Sequence, residues 1–298
     1  MNGVINVYKE AGVTSFDVVA QVRKLLHVSK CGHLGTLDPM AEGVLPICVG
    51  YATRFSDFLS SVDKEYIAEF KLGEKSPSYD NTSKDIEKVS DKVVLEEEII
   101  KNLSLLQGVV SLKVPAFSAK KINGVRAYKL ARKGEIEDAG IREMYIYSIE
   151  LLNYQYPLGI IKVSCGKGTY IRSIINTLGE NLETGALMTG LIRSANGIFK
   201  VNNAYKISQL EEMVKDNTIN KAIVPVYELL DFGRAVVKNN IVKQIRNGIS
   251  PDKTSFLSLP IEHSGEYFFI MDSKGNLIAL ASRCENSEYP LKLKIVIN

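Results

Sequence analysis

Several features that would assign a function class at sight are missing from this 298-residue chain. Its four cysteines, Cys31, Cys48, Cys165 and Cys284, form no Cys-x-x-Cys pair, which argues against a zinc site or a disulfide framework and implies reduced thiols. No run of some 18 or more apolar residues occurs, and the amino terminus lacks the basic-then-apolar order of a leader, so a soluble cytoplasmic protein is expected. Neither sign of charge dominates: 37 Lys and Arg against 34 Asp and Glu leave +3, compatible with a nucleic-acid partner without demanding one. There is no internal repeat or low-complexity tract, although Ser76–Ser83 is polar and loop-like.

What is present suffices for a substantial core: 45% of residues are hydrophobic, enough for one large domain with or without a small one. Residues 15–27 put Val18, Val19, Val22, Leu25 and Leu26 on one helical face, with Ser15 as N-cap and Asp17 in the first turn. Further helices are predicted over Arg54–Ser60, Val93–Leu106 and Tyr170–Leu182, and strands over Tyr66–Leu72, Tyr145–Tyr154 and Leu158–Cys165. This mixture is a mixed α/β or α+β domain. After Ile223-Val224-Pro225-Val226 the pattern changes to short strands, Ile245–Ile249, Glu266–Asp272, Asn276–Ser282 and Leu291–Ile297, which predict a small β-rich domain.

One local bias stands out from the balanced charge. Lys113–Lys133 holds seven Lys or Arg and no acid, interleaved with Phe117 and Tyr128 and containing the turn pair Asn123-Gly124. Such a run is commonly just a solvated face, but its loop-like start at Pro115–Ala119 favours a protruding, partner-contacting arm.

Among residues able to carry chemistry, Asp38 lies in a glycine-punctuated loop just before Pro39, where the backbone is biased to extended conformations and the carboxylate is held in a fixed turn. That suits a nucleophile or base, and equally an Asx turn. His33 shares the loop; a lone histidine is more often a satisfied structural group. Asp38 and Glu42 are too close on one segment to face each other across a sugar as glycosidase carboxylates do. Cys165-Gly166-Lys167-Gly168-Thr169-Tyr170-Ile171-Arg172 joins a strand to a helix, where free amides could meet an anion, but it lacks the first glycine and the Lys-Ser/Thr pair of a phosphate-binding Walker loop. Arg172 at a helix start is poorly placed for the dipole, and pairing with a carboxylate is the better role. Tyr66 and Tyr170 read either as half-buried aromatics or as surfaces on which a base stacks.

Taken in order, Gly32-His33-Leu34-Gly35-Thr36-Leu37-Asp38-Pro39, Ala41-Glu42-Gly43-Val44-Leu45-Pro46, Gly50-Tyr51-Ala52-Thr53-Arg54, Lys64-Glu65-Tyr66, Ala127-Tyr128-Lys129-Leu130-Ala131-Arg132, Lys167–Arg172 and Met188-Thr189-Gly190-Leu191-Ile192-Arg193 resemble the bacterial TruB family of tRNA pseudouridine synthases. One departure is Lys9-Glu10, where the family usually has Lys-Pro. From about Tyr227, including Ile245-Arg246-Asn247-Gly248, the chain resembles the family's PUA-like RNA-binding domain more loosely.

The resemblance implies an α+β pseudouridine synthase fold, with a central, largely antiparallel sheet flanked by helices. A catalytic domain would span 1–226, with an RNA-contacting arm over 113–140, and a small β-rich domain 227–298. It implies isomerisation of uridine 55 in the tRNA T loop, a reaction that neither gains nor loses atoms and needs no metal and no cofactor. Asp38 would be the catalytic carboxylate, attacking covalently or removing a sugar proton. Arg172 would pair with it and favour its charged form. Tyr66 would stack on the uracil, with Tyr170 and Leu191 lining its pocket. Extruding the uridine costs a few kcal/mol, and His33 would fill the vacated stack. Lys120, Lys121, Arg126, Lys129, Arg132, Lys133 and Lys167 would meet RNA phosphates. The implied partner is the tRNA T stem-loop, bound by a monomer with no membrane association and no obligate protein partner. Two alternatives are an RNA-binding or tRNA-folding module with secondary catalysis, and the guide-RNA-dependent enzyme of ribosomal RNA. The short arm speaks against the latter.

Overall fold

Alternation organises the central strands: along Lys64–Leu72 every second side chain, Lys64, Tyr66, Ala68, Phe70 and Leu72, is buried. In the computed structural model, which describes residues 1–118, 120–136, 138–260, 262–285 and 288–297, this segment lies inside a ten-stranded sheet. The sheet comprises β1 (Gly3–Lys9), β2 (Cys31–His33), β3 (Glu42–Val49), β4 (Lys64–Leu72), β5 (Gly108–Pro115), β6 (Asp138–Gln155), β7 (Leu158–Cys165), β8 (Ala186–Asn196), β9 (Phe199–Lys200) and β10 (Ile223–Val224). Their spatial order is β10-β1-β3-β8-β4-β7-β6-β5, with β2 on β3 and β9 on β8. Of the strand pairings described within this sheet only β3–β8 is parallel, so the sheet is largely antiparallel, as the resemblance implies.

Helices α1 (Ser15–Leu25), α2 (Glu96–Ser104), α3 (Ile171–Asn181) and α4 (Ile207–Lys215) share one core with the sheet, to which Val18, Val22, Ile99, Leu103, Ile174, Leu178 and Leu210 contribute beside Tyr66, Phe70 and Ile161. The N-cap of α1 is Thr14, not Ser15: the Thr14 hydroxyl accepts from the Asp17 N–H, and the Asp17 carboxylate accepts from the Thr14 N–H. Ser15 instead turns inward, its Oγ accepting from the Leu37 N–H and donating to the Leu37 carbonyl. The helix predicted over Arg54–Ser60 is a 3-10 turn, Gly50–Phe55, running into a single α turn, Ser56–Leu59.

A second sheet covers part of the first. Strands β11 (Gly233–Val237), β12 (Phe256–Ser258), β13 (Tyr267–Met271), β14 (Leu277–Arg283) and β15 (Leu291–Val296) run in the order β12-β11-β13-β14-β15. Alternation decides which residues face where: Phe269 and Leu280 join Val4, Val44, Cys48 and Phe55, whereas Phe268, Ile270, Ala279 and Ala281 pack with Ile245 in a separate core. The strand predicted over Ile245–Ile249 is wrong. Ile245 lies near the end of a short helix, Val242–Arg246, and the left-handed Gly248 (φ 85°) closes it, with the Ile249 N–H donating to the Gln244 carbonyl. Five residues with two isoleucines fit either period; the closing glycine was the deciding signal.

Between β5 and β6 the basic arm forms a two-strand hairpin, Lys121–Ile122 with Val125–Arg126, then a helical turn, Ala127–Ala131. Asn123 and Gly124 both have positive φ, as a tight hairpin turn requires. Ala119 and Glu137, which fall inside the predicted arm, lie outside the described residues.

The seam between the two sheets turns on Phe269, fully buried with ring centroids 6.1 Å from Phe55 and 5.2 Å from Phe232. Phe269→Ala should destabilise the chain by about 3–5 kcal/mol in urea unfolding, the usual loss for a buried Phe; a loss below about 1 kcal/mol would show that the seam contributes little.

Candidate active site

Asp38 sits at the tip of the loop between β2 and β3, and this loop is fastened along its length. The Ala41 N–H donates to the Asp38 carbonyl at 3.0 Å, closing a turn with Pro39 at its second position. Ser15 clamps Leu37 from α1, and the Gly12 N–H donates to the Pro39 carbonyl. From β8, Arg193 donates to the carbonyls of Val44 (2.7 Å) and Gly35 (3.1 Å), and Asn196 to that of Leu34 (3.1 Å). Gly43 is required: at φ 101° a Cβ there would lie 2.4 Å from the Arg193 carbonyl oxygen. The buried Lys9 ammonium donates to the carbonyls of Glu10, Pro39 and Ala41. Burial pushes Lys9 down to about 8, against the opposing pull of the Asp38 and Glu42 carboxylates.

The Asp38 carboxylate meets Arg172 side-on: Nε lies 3.0 Å from Oδ2, and Nη2 donates to Oδ1 at 3.2 Å. The arginine side chain is 5% exposed and the aspartate 35%, so the cation is walled in while the carboxylate remains open on one side. The other Arg172 donors reach the carbonyls of Phe117 (3.1 Å) and Ser78 (2.9 Å), and Nη1 lies 3.4 Å from Oδ2 of the buried Asp80. Asp80 was missed in the sequence, where Ser76–Ser83 reads only as a polar loop. Its Oδ1 accepts from the Ser78 hydroxyl (2.7 Å), the Thr82 N–H (3.0 Å) and the Thr82 hydroxyl (2.6 Å). The spacing Ser-x-Asp-x-Thr, an acid with hydroxyls two residues to either side, was the available signal. Tyr79 between them is left-handed (φ 62°), a conformation unusual for a tyrosine.

Tyr66 lies on the site side of β4, buried, opposite Arg193 in the register of β8, and burial raises its phenol above the ordinary range while Arg193 opposes. Leu191, two residues before Arg193, shares that face and core, and Tyr170 is the residue from which α3 starts. His33 lies at the end of β2, with its ring edge-on to Phe16 at 5.3 Å. Its Nδ1 is buried without a hydrogen-bond partner, and burial, then the Arg193 charge, lowers its pKa. Lys64 is also buried, donates to the Ser60 and Val62 carbonyls and is lowered by burial to about 8.

The predicted backbone-contacting cations occupy two places. Lys121, Arg126, Lys129, Arg132 and Lys133 lie on the arm, Arg132 over the Tyr128 ring and Lys133 3.5 Å from Glu135. Lys120 gives one hydrogen bond to the Ala139 carbonyl at 2.7 Å, and Lys167 lies outside the arm, 3.3 Å from the Ser60 hydroxyl. Among the described residues no group of three or more His, Cys, Asp or Glu side chains is arranged to hold a metal ion, and no helix is long and apolar enough to cross a membrane.

Residues 23–171 match the TruB family pseudouridylate synthase (N terminal domain). The chain is 41% identical over 263 residues to the tRNA pseudouridine synthase B of Clostridium kluyveri, covering 88% of this chain and 89% of that one. It is 37% identical over 287 residues to that of Clostridium perfringens strain 13, covering 96% of each. Among solved structures, a Cbf5-Nop10-Gar1 complex is similar with a TM-score of 0.72 and 27% identity, over 99% of this chain and 84% of that chain. An H/ACA RNP bound to a substrate RNA containing 2′-deoxyuridine is similar with a TM-score of 0.70 and 25% identity, over 99% and 85%.

Lys9 gives a pH-dependent signature. Its folded pKa, about 8, lies below the ordinary 10.5, so between those values the unfolded chain binds more protons and folding gains stability as pH rises. Urea unfolding at pH 7.5 and 9.5 should therefore show wild type gaining on Lys9→Met as pH increases; an unchanged difference would mean that Lys9 titrates normally.

Proposed function

This chain belongs to the TruB family of pseudouridylate synthases, and on that premise we propose that it converts uridine 55 in the T loop of tRNA to pseudouridine, with Asp38 as the catalytic carboxylate. The observation that carries the reading is the side-on Asp38–Arg172 pair in a loop fastened from α1, β1 and β8. In this reaction the bond from C1′ to N1 breaks, the uracil turns, a bond from C1′ to C5 forms, the C5 proton leaves and N1 takes up a proton. Nothing is oxidised and no group is transferred to water. One open carboxylate can serve, either by attacking or by taking a sugar proton. Arg172 fixes the plane of that carboxylate and places a positive charge beside it through steps in which the negative charge on Asp38 changes.

Tyr66, Tyr170 and Leu191 form the uracil pocket in this reading, and His33 enters the space left by the extruded base. A neutral imidazole suits that role, because stacking into a desolvated loop is cheaper without a charge, and both causes acting on His33 favour the neutral form. Lys121, Arg126, Lys129, Arg132 and Lys133 on the arm, with Lys120 and Lys167, take phosphates, so binding weakens with salt. Residues 1–226 are the catalytic domain and 227–298 a PUA-like RNA-binding domain. The enzyme acts as a cytoplasmic monomer on the T stem-loop.

The similar solved structures include an H/ACA RNP bound to a substrate RNA, whereas the similar sequences are named tRNA pseudouridine synthase B. A bare T stem-loop transcript separates the two. The purified chain should form pseudouridine at that single position without guide or accessory protein. Asp38→Asn should abolish the product while changing RNA affinity by less than about threefold, the loss being one of chemistry and not of uniform binding. Undiminished turnover by Asp38→Asn would refute the assignment.

A further inference from the structure

Phe16 is the residue on this face to which the catalytic machinery gives no role. It lies in the first turn of α1, 63% exposed, on a helix start immobilised by the Thr14–Asp17 capping box and by Ser15 on Leu37. Single exposed apolar side chains are ordinary on protein surfaces. Phe16 differs in what it touches: its ring meets the His33 ring at 5.3 Å with an interplanar angle of 78°. Two rings are thus held together beside the catalytic loop, one of them largely open to solvent.

The rest of the exposed face of α1 continues from that point. At 3.6 residues per turn, Phe16, Ala20 and Arg23 form one stripe with Lys24 at its edge, and Arg23 lies about 10 Å along the axis from Phe16. Ala20, Arg23 and Lys24 are exposed, and neither cation is in an ion pair among the described residues. The only acid of the helix, Asp17, is occupied by the cap. Arg23 is close enough to Cys31, two residues before His33, to act on its thiol, which ties this end of the stripe to the same strand. An aromatic ring beside the loop site, followed by unpaired cations, matches single-stranded RNA that leaves the loop and enters a stem: a nucleobase for the ring, phosphates for the cations.

We propose that the exposed face of α1 is part of the RNA site, Phe16 stacking on an unpaired nucleobase next to the extruded uridine while Arg23 and Lys24 neutralise phosphates of the adjoining strand. This rests on the reading of the chain as an enzyme of a T stem-loop. Phe16 is on this account a positioning residue: it carries no reacting atom, but it holds the loop open in concert with His33.

The chain contains no tryptophan, so Phe16→Trp places a single indole, excited selectively over the 14 tyrosines, at the stacking position. Titrating the full-length Phe16→Trp chain with a T stem-loop RNA should quench its emission, with a midpoint within about threefold of the wild-type Kd. Phe16→Ala should raise KM about 5- to 150-fold, the range one base–aromatic stack supplies, with a smaller change in kcat. Arg23→Ala combined with Lys24→Ala should make the salt dependence of binding shallower, by about 0.7 in logarithmic slope for each phosphate no longer neutralised. Indole emission from Phe16→Trp that stays unquenched on an RNA that demonstrably binds, or a Phe16→Ala KM within twofold of wild type, would overturn the proposal. Wild-type turnover on the same RNA separates the two levels: an inert wild type, with a Phe16→Trp chain that binds and quenches, defeats the enzymatic reading and leaves the surface standing.

Discussion

A buried guanidinium in the first turn of α3 organises the site. Arg172 is almost without solvent, and its donors reach Asp38, the carbonyls of Ser78 and Phe117, and the neighbourhood of Asp80, which are three separate stretches of chain. Desolvating a cation of this kind is costly unless every donor is matched, and here carboxylates and carbonyls match them. Asp80 supplies a second negative charge that is itself committed to hydroxyl and amide donors, which leaves Asp38 as the carboxylate with an open side. The same interaction links the root of the basic arm, through Phe117, to the group that orients the Asp38 carboxylate.

Around this pair the scaffold relies on two further buried cations, Lys9 and Arg193, which donate to carbonyls of the loop instead of to carboxylates. A loop has backbone carbonyls that no strand partner satisfies, and long cationic side chains can reach several of them from adjacent strands. The result is an Asp38 turn held rigidly without regular structure of its own. Lys9 also explains why glutamate at position 10, where the resembling family usually has proline, is tolerated: Nζ bonds the Glu10 carbonyl, and the turn is held by that contact and by Gly12 on Pro39.

Much of this was legible in the residues and some was not. Alternation announced β4 and the Tyr145–Tyr154 part of β6, a more continuous apolar run announced β7, and a helical face announced α1. Strands β1, β3 and β8 were passed over: nearly every residue of β1 and β3 is buried, so the alternation that signals a strand is absent. The pairing of Asp38 with Arg172 was anticipated by resemblance, since composition and spacing alone leave Asp38 as readily a turn residue as a reactive one. Asp80, Lys9 and Arg193 were not singled out, because their roles are made by contacts between segments 30 to 158 positions apart, and no local pattern encodes such distances.

The central claim is that geometry, and not charge alone, makes Arg172 the partner of Asp38. Arg172→Lys keeps the positive charge but cannot present Nε and Nη2 side-on to both carboxylate oxygens or match the surrounding carbonyls. The direct measurement is single-turnover tritium release from a T stem-loop carrying [5-3H]uridine at the target position, since the C5 hydrogen leaves only when the isomerisation completes. The account predicts stoichiometric release by wild type and a rate at least about 100-fold lower for Arg172→Lys, the order of loss for one preorganised electrostatic contact. Release by Arg172→Lys at the wild-type rate would contradict it.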